Sequence, residues 1–463
     1  MPTVNDRLAV FTTGSCNRMG MARALMATVQ HWYPEADTFI CVGDDAEGLL
    51  APGSQVVAGD AIGVPDWRRV SFAYDAMALN CLLKPFMFLH LAETLGYGRV
   101  MHFDTDMALY DRLHGADAAL DAGAALVLTP HLLAPPAAGD VPGPHGILMA
   151  GTYNTGFVAA GATPDGLAAL RWWAERLHED AGIAPERGQM WDQRCMDLVP
   201  GLFPAVAILR DPAVNVAYWN LPQRTLGRDA QGWTVDGQRL GLFHFSGFNP
   251  ADPTRLTRHA CSLPHPPPEP LPALLADYAA RVAGREEDGD LRPYAYGRFA
   301  SGTPIPAAAR NLFQERHRDW PGDPFATFET YLNATAPNTA VHASGLRVTN
   351  LIGWMVAADP LARLLLPLGL PEGVAQAVRW AAASGLAADF LAAASPGAEA
   401  AALAAEPLAL DDPTALLLPA RQQRVLEFSQ RADLAERELA AMRQSTSWRL
   451  TAPVRGLAGL LRR

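Results

Sequence analysis

Hydrophobic residues in the first half of the chain follow two alternating patterns. Short apolar runs such as Leu8–Thr13 and Thr38–Val42 are typical of buried strands, whereas Met19–Trp32 and Pro164–Glu179 repeat apolar positions with the period of an amphipathic helix. The same patterns predict a strand from Arg99, strands at 124–129, 154–160, 205–209 and 240–245, and helices at 71–95 and 271–282. This alternation predicts an α/β domain.

The pattern changes near residue 285. A cluster of prolines at 262–272 and the charged segment Gly284–Asp290 mark the end of the α/β domain, and the strand patterns disappear beyond it. The segment 359–410 is rich in Ala and Leu, which favour helices. We therefore predict an α/β domain at 1–285, a helical accessory domain at 286–415, and a charged helix with a basic amphipathic tail at 416–463.

The basic tail begins at Ser445 and combines arginines with apolar residues and no acidic residue. A segment of this kind can lie on an anionic membrane surface, so peripheral membrane contact is one interpretation. A solvated or partner-packed terminal helix is the other.

Composition narrows the class of protein. The formal charge of −11 on 463 residues argues against a nucleic-acid partner, because such proteins neutralise phosphates with Lys and Arg. The five scattered cysteines lack Cys-x-x-Cys spacing and predict reduced thiols in a cytoplasmic protein, with neither a disulfide framework nor a zinc site. No signal sequence and no run of about 18 apolar residues is evident, so we expect a chain without a membrane span.

Two carboxylates follow the strand that begins at Arg99. Asp104 and Asp106 are one residue apart, and in an extended segment side chains at positions i and i+2 point to the same side. Both carboxylates can then hold one hard divalent cation and leave coordination positions for phosphate oxygens. The alternative is a polar strand end in which Asp-Thr-Asp forms a turn.

A histidine near the end of a later strand is the candidate third ligand. His244 precedes Gly247, which permits close backbone approach. One imidazole and two carboxylates suit Mn²⁺ or Mg²⁺, with a diphosphate completing the coordination shell. A structural role is the alternative for an isolated histidine, but the nearby pair of carboxylates favours the metal site.

The chain resembles GT-A fold glycosyltransferases, in particular the bacterial relatives of glycosyltransferase family 8, the group that includes glycogenin and lipopolysaccharide galactosyltransferases. The resemblance lies in the order and spacing of Ala9–Leu25, Lys84–Tyr110, Tyr153–Ala160, Trp191–Asp197 and Phe243–Pro250. It covers 8–263 and implies a Rossmann-like nucleotide-diphospho-sugar transferase domain. The implied donor is a nucleotide-sugar, with a UDP-sugar expected, and the implied cofactor is Mn²⁺ or Mg²⁺.

The resemblance implies donor-binding roles for several residues. Thr12 and Thr13 match the loop that holds the nucleotide base and ribose, and Lys84 matches a basic residue that contacts the sugar diphosphate. Asp104 is expected to contact the sugar or ribose and to share the metal with Asp106. A lysine in an otherwise apolar helix also needs an anionic partner or a path to solvent.

Three further residues are implied to act at the sugar. Asn154 matches a strand beside the donor sugar, where Gly156 is assigned to backbone packing, and Asp192 and Gln193 match an acidic–amide pair near the anomeric carbon. For Asp192 the alternative is to cap a helix N-terminus.

The sequence departs from the family pattern after Gly247. Many family 8 members carry a diphosphate-binding lysine where this chain has Phe248-Asn249-Pro250. Diphosphate recognition would then depend on the metal and Lys84, or on Arg255 or Arg258.

The expected activity is transfer of the sugar to a hydroxyl of a glycan, lipid-linked or protein acceptor, with retention of anomeric configuration, in cell-envelope or surface polysaccharide glycosylation. Alternatives are an inactive relative that binds a nucleotide-sugar or glycan, and a metal-dependent nucleotidyltransferase or phosphohydrolase. The loop after the first strand contains one glycine, whereas a nucleotidyltransferase would carry a Gly-rich basic loop. The aromatic residues Trp172, Trp173, Tyr218 and Trp219 belong either to the core or to an acceptor platform, for which Trp219 is the better candidate.

Overall fold

The computed structural model describes residues 6–180, 182–184, 188–287, 290–384 and 390–406. The predicted charged helix and basic tail at 416–463, with the membrane contact inferred from them, lie outside the described residues. Within the described ranges, no helix is long and apolar enough to cross a membrane. All five cysteines lie within the described residues, and no disulfide joins any two of them.

The strands occupy the first 244 residues. In chain order they are β1 Leu8–Gly14, β2 Asp37–Val42, β3 Ser54–Ala58, β4 Arg99–Phe103, β5 Met107–Leu109, β6 Leu126–Pro130, β7 Tyr153–Gly161, β8 Ile183–Ala184, β9 Gln189–Met190, β10 Val206–Ile208, β11 Leu226–Asp229, β12 Gly232–Val235, β13 Gln238–Arg239 and β14 Leu242–His244. The strands predicted from apolar runs are present, whereas the short strands β3, β5, β8, β9 and β11–β13 were not predicted. Short or partly exposed strands lack the continuous apolar run that identifies a buried one.

A seven-stranded sheet has the order β10-β6-β7-β4-β1-β2-β3. Every neighbouring pair is parallel except those of β7, which runs antiparallel to both β4 and β6. Because β7 runs antiparallel, its amino end lies beside the carboxyl ends of β4 and β6, on the same side of the sheet. Residues that follow β4 or begin β7 are brought together there, although they are far apart in the sequence.

The helices lie between the strands along the chain and continue after the last strand. They are α1 Met19–Trp32, α2 Trp67–Ala73, α3 Ala76–Leu89, α4 His114–Asp121, α5 Pro144–Ala150, α6 Pro164–Glu179, α7 Val199–Leu202, α8 Leu271–Ala283, α9 Ala307–Arg316, α10 Pro324–Asn333, α11 Asn350–Ala358, α12 Pro360–Leu365, α13 Pro371–Ala383, α14 Leu391–Ala394 and α15 Ala398–Ala405. Helices α1 and α6 have the predicted bounds. The Thr163 side chain caps α6 by accepting a hydrogen bond from Gly166 N–H.

The prediction of one helix over 71–95 was wrong. Helix α2 ends at Ala73, Tyr74 is extended, and α3 begins at Ala76. The buried Arg310 guanidinium donates hydrogen bonds to the carbonyls of Ser71, Phe72 and Tyr74 at 3.4, 2.5 and 2.8 Å. Those carbonyls are thus satisfied outside a continuous helix, by a residue that local periodicity cannot reveal.

The chain divides into two compact units. Unit 1 contains the described residues of 6–64 and 80–292, and unit 2 contains those of 65–79 and 293–406. In unit 1, apolar residues of β1, β2, β4, β7 and α1 pack into one hydrophobic core. Unit 2 packs Phe72 against Phe299, Phe313, Phe325 and Phe328. The predicted fold class, an α/β region followed by a helical C-terminal region, is confirmed.

Candidate functional site

Asp104, Thr105 and Asp106 form a turn between β4 and β5, so the prediction of an extended segment was wrong. Met107 N–H donates to Asp104 O at 3.1 Å and closes the turn, while Asp104 N–H donates to Gly156 O at 2.8 Å. The turn, and not a pleated strand, brings the two carboxylates to one place.

His244 completes a group of three metal-ligand atoms. One atom each from Asp104, Asp106 and His244 lie within 4.8 Å of one another. Strand β14 pairs with β5 so that His244 lies opposite Met107, and Phe245 N–H donates to Asp106 O at 2.7 Å. His244 Nε2 lies 3.2 Å from Asp106 Oδ1. Two carboxylate oxygens and an imidazole nitrogen are a donor set that fits Mn²⁺ or Mg²⁺.

Lys84 lies between two carboxylates at the other side of Asp104. Its Nζ is 2.8 Å from Asp104 Oδ1 and 2.6 Å from Asp192 Oδ2, and its side chain is 5% exposed. Burial alone would lower the pKa of Lys84, but the charges of Asp104 and Asp192 outweigh it and raise that pKa above its usual range. Lys84 therefore has the anionic partner that we expected, in the form of two carboxylates.

Asp192 is held by side chains, not by the N-terminus of a helix. Its carboxylate accepts hydrogen bonds from Lys84 and, at 2.9 Å, from Thr155 Oγ1, while its carbonyl accepts from Trp173 Nε1 at 2.9 Å. Helix capping, the alternative considered for this residue, is not what the structure shows. Trp173 is fully buried and belongs to the core.

Burial and charge oppose each other in the two carboxylates of the turn. Burial raises the pKa of Asp104, against the lowering effect of Lys84. Burial would also raise the pKa of Asp106, but the charge of His244 and its hydrogen bond outweigh burial, and the pKa of Asp106 is lowered. A divalent cation would hold both groups ionised.

Asn154 lies within a buried network of amides. Its Oδ1 accepts from Gly156 N–H at 3.1 Å and from Asn215 Nδ2 at 3.0 Å. Its Nδ2 lies 3.3 Å from Gln193 Oε1 and 3.3 Å from His131 Nε2. The network joins the implied sugar-side residues Asn154 and Gln193 to each other.

Two residues of this network, Asn215 and His131, were missed in the sequence. Asn215 is a single polar residue within the apolar segment Ala213–Ala217, a signal that its amide needs buried partners. Burial lowers the pKa of His131 to about 4.

Thr12 and Thr13 lie within β1. Thr12 is fully buried and its hydroxyl has no hydrogen-bond partner among the described residues. Thr13 Oγ1 donates to Asn80 O at 3.1 Å. Their contact with a nucleotide stays a prediction.

Arg18 is a cation near the turn that was also missed. A Cβ at Gly14 would lie 3.0 Å from Thr105 Cγ2 and 3.5 Å from Arg18 Cβ, so the arginine and the turn flank the same glycine. Arg18 is exposed, its guanidinium contacts Met21 Sδ at 3.2 Å, and no carboxylate among the described residues pairs with it. Arg258, one of the predicted cations, is exposed and donates its N–H to Gly247 O, and Arg255 is exposed as well.

Trp219 lies beside His244, one of the three candidate metal ligands. Its ring centroid is 5.2 Å from that of His131 and 5.2 Å from that of His244, and the residue is 6% exposed. Trp172 packs on Phe203. Of the four aromatic residues considered for an acceptor platform, Trp219 lies against the site and Trp173 in the core.

No family model matches the sequence. The chain is 37% identical over 101 residues to the uncharacterized protein YfnF of Bacillus subtilis (strain 168), a match that covers 22% of this chain and 33% of the relative. It is 32% identical over 100 residues to the uncharacterized protein YfnD of the same strain, covering 21% of this chain and 32% of the relative. The chain thus spans about a third of the length of these relatives.

Three solved structures are similar over more of the chain. The galactosyltransferase LgtC in complex with donor and acceptor sugar analogs has a TM-score of 0.39 at 14% identity, covering 61% of this chain and 100% of that one. Mouse xyloside xylosyltransferase 1 has a TM-score of 0.31 at 12% identity, covering 52% and 97%. A glycosyltransferase involved in glycosylation of the major capsid of PBCV-1 has a TM-score of 0.31 at 11% identity, covering 51% and 93%. All three scores lie below 0.5, so the function proposed below depends on the site itself.

Proposed function

We propose that this chain is a metal-dependent glycosyltransferase that moves a sugar from a nucleotide-sugar, expected to be a UDP-sugar, to an acceptor hydroxyl. The observation that carries the proposal is the group of Asp104, Asp106 and His244 ligand atoms within 4.8 Å, directly beside a buried Lys84 that contacts Asp104. The order of motifs that resembles family 8 GT-A enzymes supports it.

Asp104, Asp106 and His244 would hold Mn²⁺ or Mg²⁺. When bound, such an ion supplies Lewis-acid stabilisation of the negative charge on a leaving diphosphate. The site has negative charge available for this purpose, because Asp104 and Asp192 share the one cation of Lys84 and a third carboxylate, Asp106, lies beside His244.

The protein also needs a cation of its own for the diphosphate. Lys84 is occupied by Asp104 and Asp192, whereas Arg18 is exposed beside the turn without a carboxylate partner among the described residues. We assign Arg18 to the diphosphate, in place of the lysine that the sequence lacks after Gly247. A guanidinium suits this task because its fork of N–H groups matches phosphate oxygens.

The remaining residues act on the sugar. The carboxylate of Asp192 and the amides of Gln193 and Asn154 would orient the donor sugar, and Asp192 would stabilise positive charge that develops on the ring. Retention of configuration is part of the proposal and comes from the resemblance to family 8. Expected acceptors are glycan, lipid-linked or protein hydroxyls of the cell envelope, met in the cytoplasm or at the inner face of the membrane.

The test is a panel of nucleotide-sugars assayed for Mn²⁺-dependent thermal stabilisation and for release of the free nucleoside diphosphate. We expect one UDP-sugar to raise the melting temperature only with Mn²⁺, since a ligand that binds the native state alone stabilises it. The same UDP-sugar should release UDP in the wild-type chain and in Asp111→Asn, but not in Asp106→Asn.

Three other results would replace the proposal. Binding without release of UDP, with any acceptor supplied, would indicate an inactive relative. Release of pyrophosphate from UTP and a sugar 1-phosphate would indicate a nucleotidyltransferase. Absence of Mn²⁺-dependent binding for every nucleotide-sugar would remove the proposed donor site.

A further inference from the structure

We propose that Trp191 forms a subsite for the acceptor, in which its indole stacks on the terminal pyranose of a glycan. This inference rests on the proposed function for the role of that sugar as an acceptor, but binding of a sugar to the indole can be measured without any transfer. It follows from the backbone conformation of Trp191, the surroundings of its indole and its place next to Asp192.

Trp191 has a backbone conformation that tryptophan rarely adopts. Its φ is +45°, in the left-handed region, where a bulky side chain is strained and glycine is preferred. Gln193 N–H donates to Met190 O at 3.3 Å, so Trp191 is the second residue of a turn, a position at which a positive φ favours glycine. The turn itself therefore does not explain a tryptophan, and backbone strain of this kind is concentrated at functional sites.

Hydrogen bonds of the main chain hold the strained residue in place. Trp191 N–H donates to Gly182 O at 3.1 Å. On the other side, Asp192 O accepts from the buried Trp173 Nε1 at 2.9 Å. Met190 and Asp192 are both buried, whereas Trp191 between them is half-buried. The turn thus presents one large aromatic side chain from a rigid support.

The indole of Trp191 has fewer partners than the other indoles. Within the described part of the chain, it contacts no other aromatic ring and no cation, and its Nε1 makes no hydrogen bond. At least one such interaction is present for Trp32, Trp67, Trp172, Trp173, Trp219, Trp233, Trp320 and Trp354. A half-buried indole without these partners offers flat apolar surface and one N–H donor to a ligand.

The place of Trp191 favours the acceptor over the donor sugar. Asp192, which we propose orients the donor sugar, is the next residue, and neighbouring Cα atoms are about 3.8 Å apart. The proposed donor contacts Lys84, Asp192 and Asn154 are all buried, so a donor that reaches them occupies the inner part of the site. Trp191 is more exposed than these residues, as expected for a group that meets an acceptor arriving from solvent.

A pyranose fits the chemistry of this surface. One face of a pyranose ring presents C–H groups that pack on an aromatic ring, while the hydroxyls at its edge need hydrogen-bond partners. The residues that follow Trp191 include the amide of Gln193 and the ion pair of Arg194 with Asp197. A flat apolar ring next to polar groups suits a sugar, whereas an acyl chain would need a continuous apolar surface.

The first experiment measures sugar binding by the full chain without transfer. The protein is labelled with 5-fluorotryptophan, and the ¹⁹F signal of Trp191 is assigned by its loss in Trp191→Phe. Methyl glycosides of galactose, glucose, mannose and N-acetylglucosamine are titrated with and without Mn²⁺ and UDP. We expect at least one of them to shift the Trp191 signal and to leave the signal of Trp354, in unit 2, unchanged.

Two results of this titration would overturn the proposal. One is that no methyl glycoside shifts the Trp191 signal under either condition. The other is that vesicles of phosphatidylglycerol shift this signal while the glycosides do not, which would assign the indole to a lipid surface.

The second experiment compares Trp191→Gly with Trp191→Phe in sugar transfer to the methyl glycoside that shifts the signal. Trp191→Gly should raise KM for this acceptor about tenfold, because a stacked aromatic surface is lost. KM for the UDP-sugar and the affinity for Mn²⁺ should stay at the wild-type values, and Trp191→Phe should recover most of the acceptor affinity. Asn338→Gly, at an exposed asparagine of unit 2 with a φ of +59°, controls for the change of backbone and should alter none of these constants.

The glycine variant also tests whether the indole belongs to the fold. Glycine adopts a positive φ without strain, so Trp191→Gly should keep or raise the urea midpoint of the wild-type chain. A lower midpoint would overturn the proposal, because the indole would then be a core residue. Transfer with an unchanged acceptor KM in Trp191→Gly would also overturn it, while the proposed function would stand. If a glycoside shifts the Trp191 signal but no nucleotide-sugar is turned over, the sugar subsite stands and the proposed function fails.

Discussion

Unit 1 contains two clusters in which a buried cation meets carboxylates, and they differ in how their charges are compensated. In the Arg23 cluster, the guanidinium binds Asp290 at 2.6 and 3.1 Å, Glu287 at 3.2 Å, and the carbonyls of Leu50 and Arg285. Asp290 in turn accepts from Glu287 N–H at 3.0 Å. Every polar group here has a partner within the protein.

The Lys84 cluster is not compensated in this way. Asp104 and Asp192 share the single cation of Lys84, and Asp106 contacts the imidazole of His244. Three carboxylates thus meet one lysine and one imidazole, whereas in the Arg23 cluster two carboxylates meet one guanidinium and one of them, Glu287, is half-exposed. The excess of negative charge is larger in the Lys84 cluster. We infer that buried charge of the first kind maintains the fold, whereas the excess of carboxylates in the second cluster suits a bound cation. Removing a charge should therefore have opposite consequences in the two clusters.

The largest effect on stability is expected for Arg23→Met. The substitution leaves Asp290 buried without its cation, and such losses cost about 3–5 kcal/mol in the free energy of unfolding. Urea unfolding should show this loss, while Mn²⁺ affinity of the folded protein should stay at the wild-type value. Arg7→Met is the matched control, because Arg7 pairs with Asp37 at the surface, where solvent screens the pair, and its loss should change the free energy of unfolding far less. A loss of Mn²⁺ binding in Arg23→Met would contradict the distinction between the clusters.

Asp192→Asn should show the reverse. The amide still accepts from Thr155 and Lys84 keeps Asp104, so the free energy of unfolding should change by less than about 1 kcal/mol. Sugar transfer should fall about 100- to 1000-fold in kcat, because a charge beside the reacting sugar has been removed. Steady-state kinetics at saturating Mn²⁺ measure this, with the exposed Asp165→Asn as the control. A variant with full activity would remove Asp192 from the proposed chemistry.

Features that depend on residue type or local periodicity were predictable from the sequence, whereas features that depend on distant contacts were not. Asp104, Asp106 and His244 were recognised because metal chemistry needs those residue types at strand ends, and helix α6 because its periodicity is local. Asn215 and the Tyr74 break were not. The break at Tyr74 depends on Arg310, which lies 236 residues away. The place of Asn215 depends on its hydrogen bond to Asn154, a contact between two segments that are far apart in the sequence.

Acid should destabilise unit 1 through buried histidines near the Lys84 cluster. Burial lowers the pKa of His131 to about 4, so between pH 6.5 and 4 the unfolded chain binds a proton that the folded chain does not. The free energy of unfolding therefore falls as pH falls through this window, by about 2 kcal/mol between pH 6.5 and 5 for His131 alone. His131→Gln should remove this part of the slope and leave the parts due to His259, whose pKa burial also lowers to about 4, and to the fully buried His102, whose pKa burial lowers well below its usual value. Urea unfolding at pH 5 and pH 7 gives the slope, and an equal slope in both proteins would contradict the assignment.

The smallest effect is expected for Gly156→Ala, which tests how closely the site is packed. An added Cβ would lie 2.5 Å from Met107 Cε, 2.6 Å from His244 Cε1 and 2.7 Å from Asn154 Oδ1, so the imidazole or the amide must move. Mn²⁺ affinity should weaken about tenfold, because displacing the imidazole strains its coordination without removing the ligand. Gly201→Ala, which adds a methyl group into open space in α7, should leave affinity unchanged. Unaltered Mn²⁺ affinity in Gly156→Ala would mean that His244 can move without loss, and the requirement for a preformed ligand geometry would then have to be abandoned.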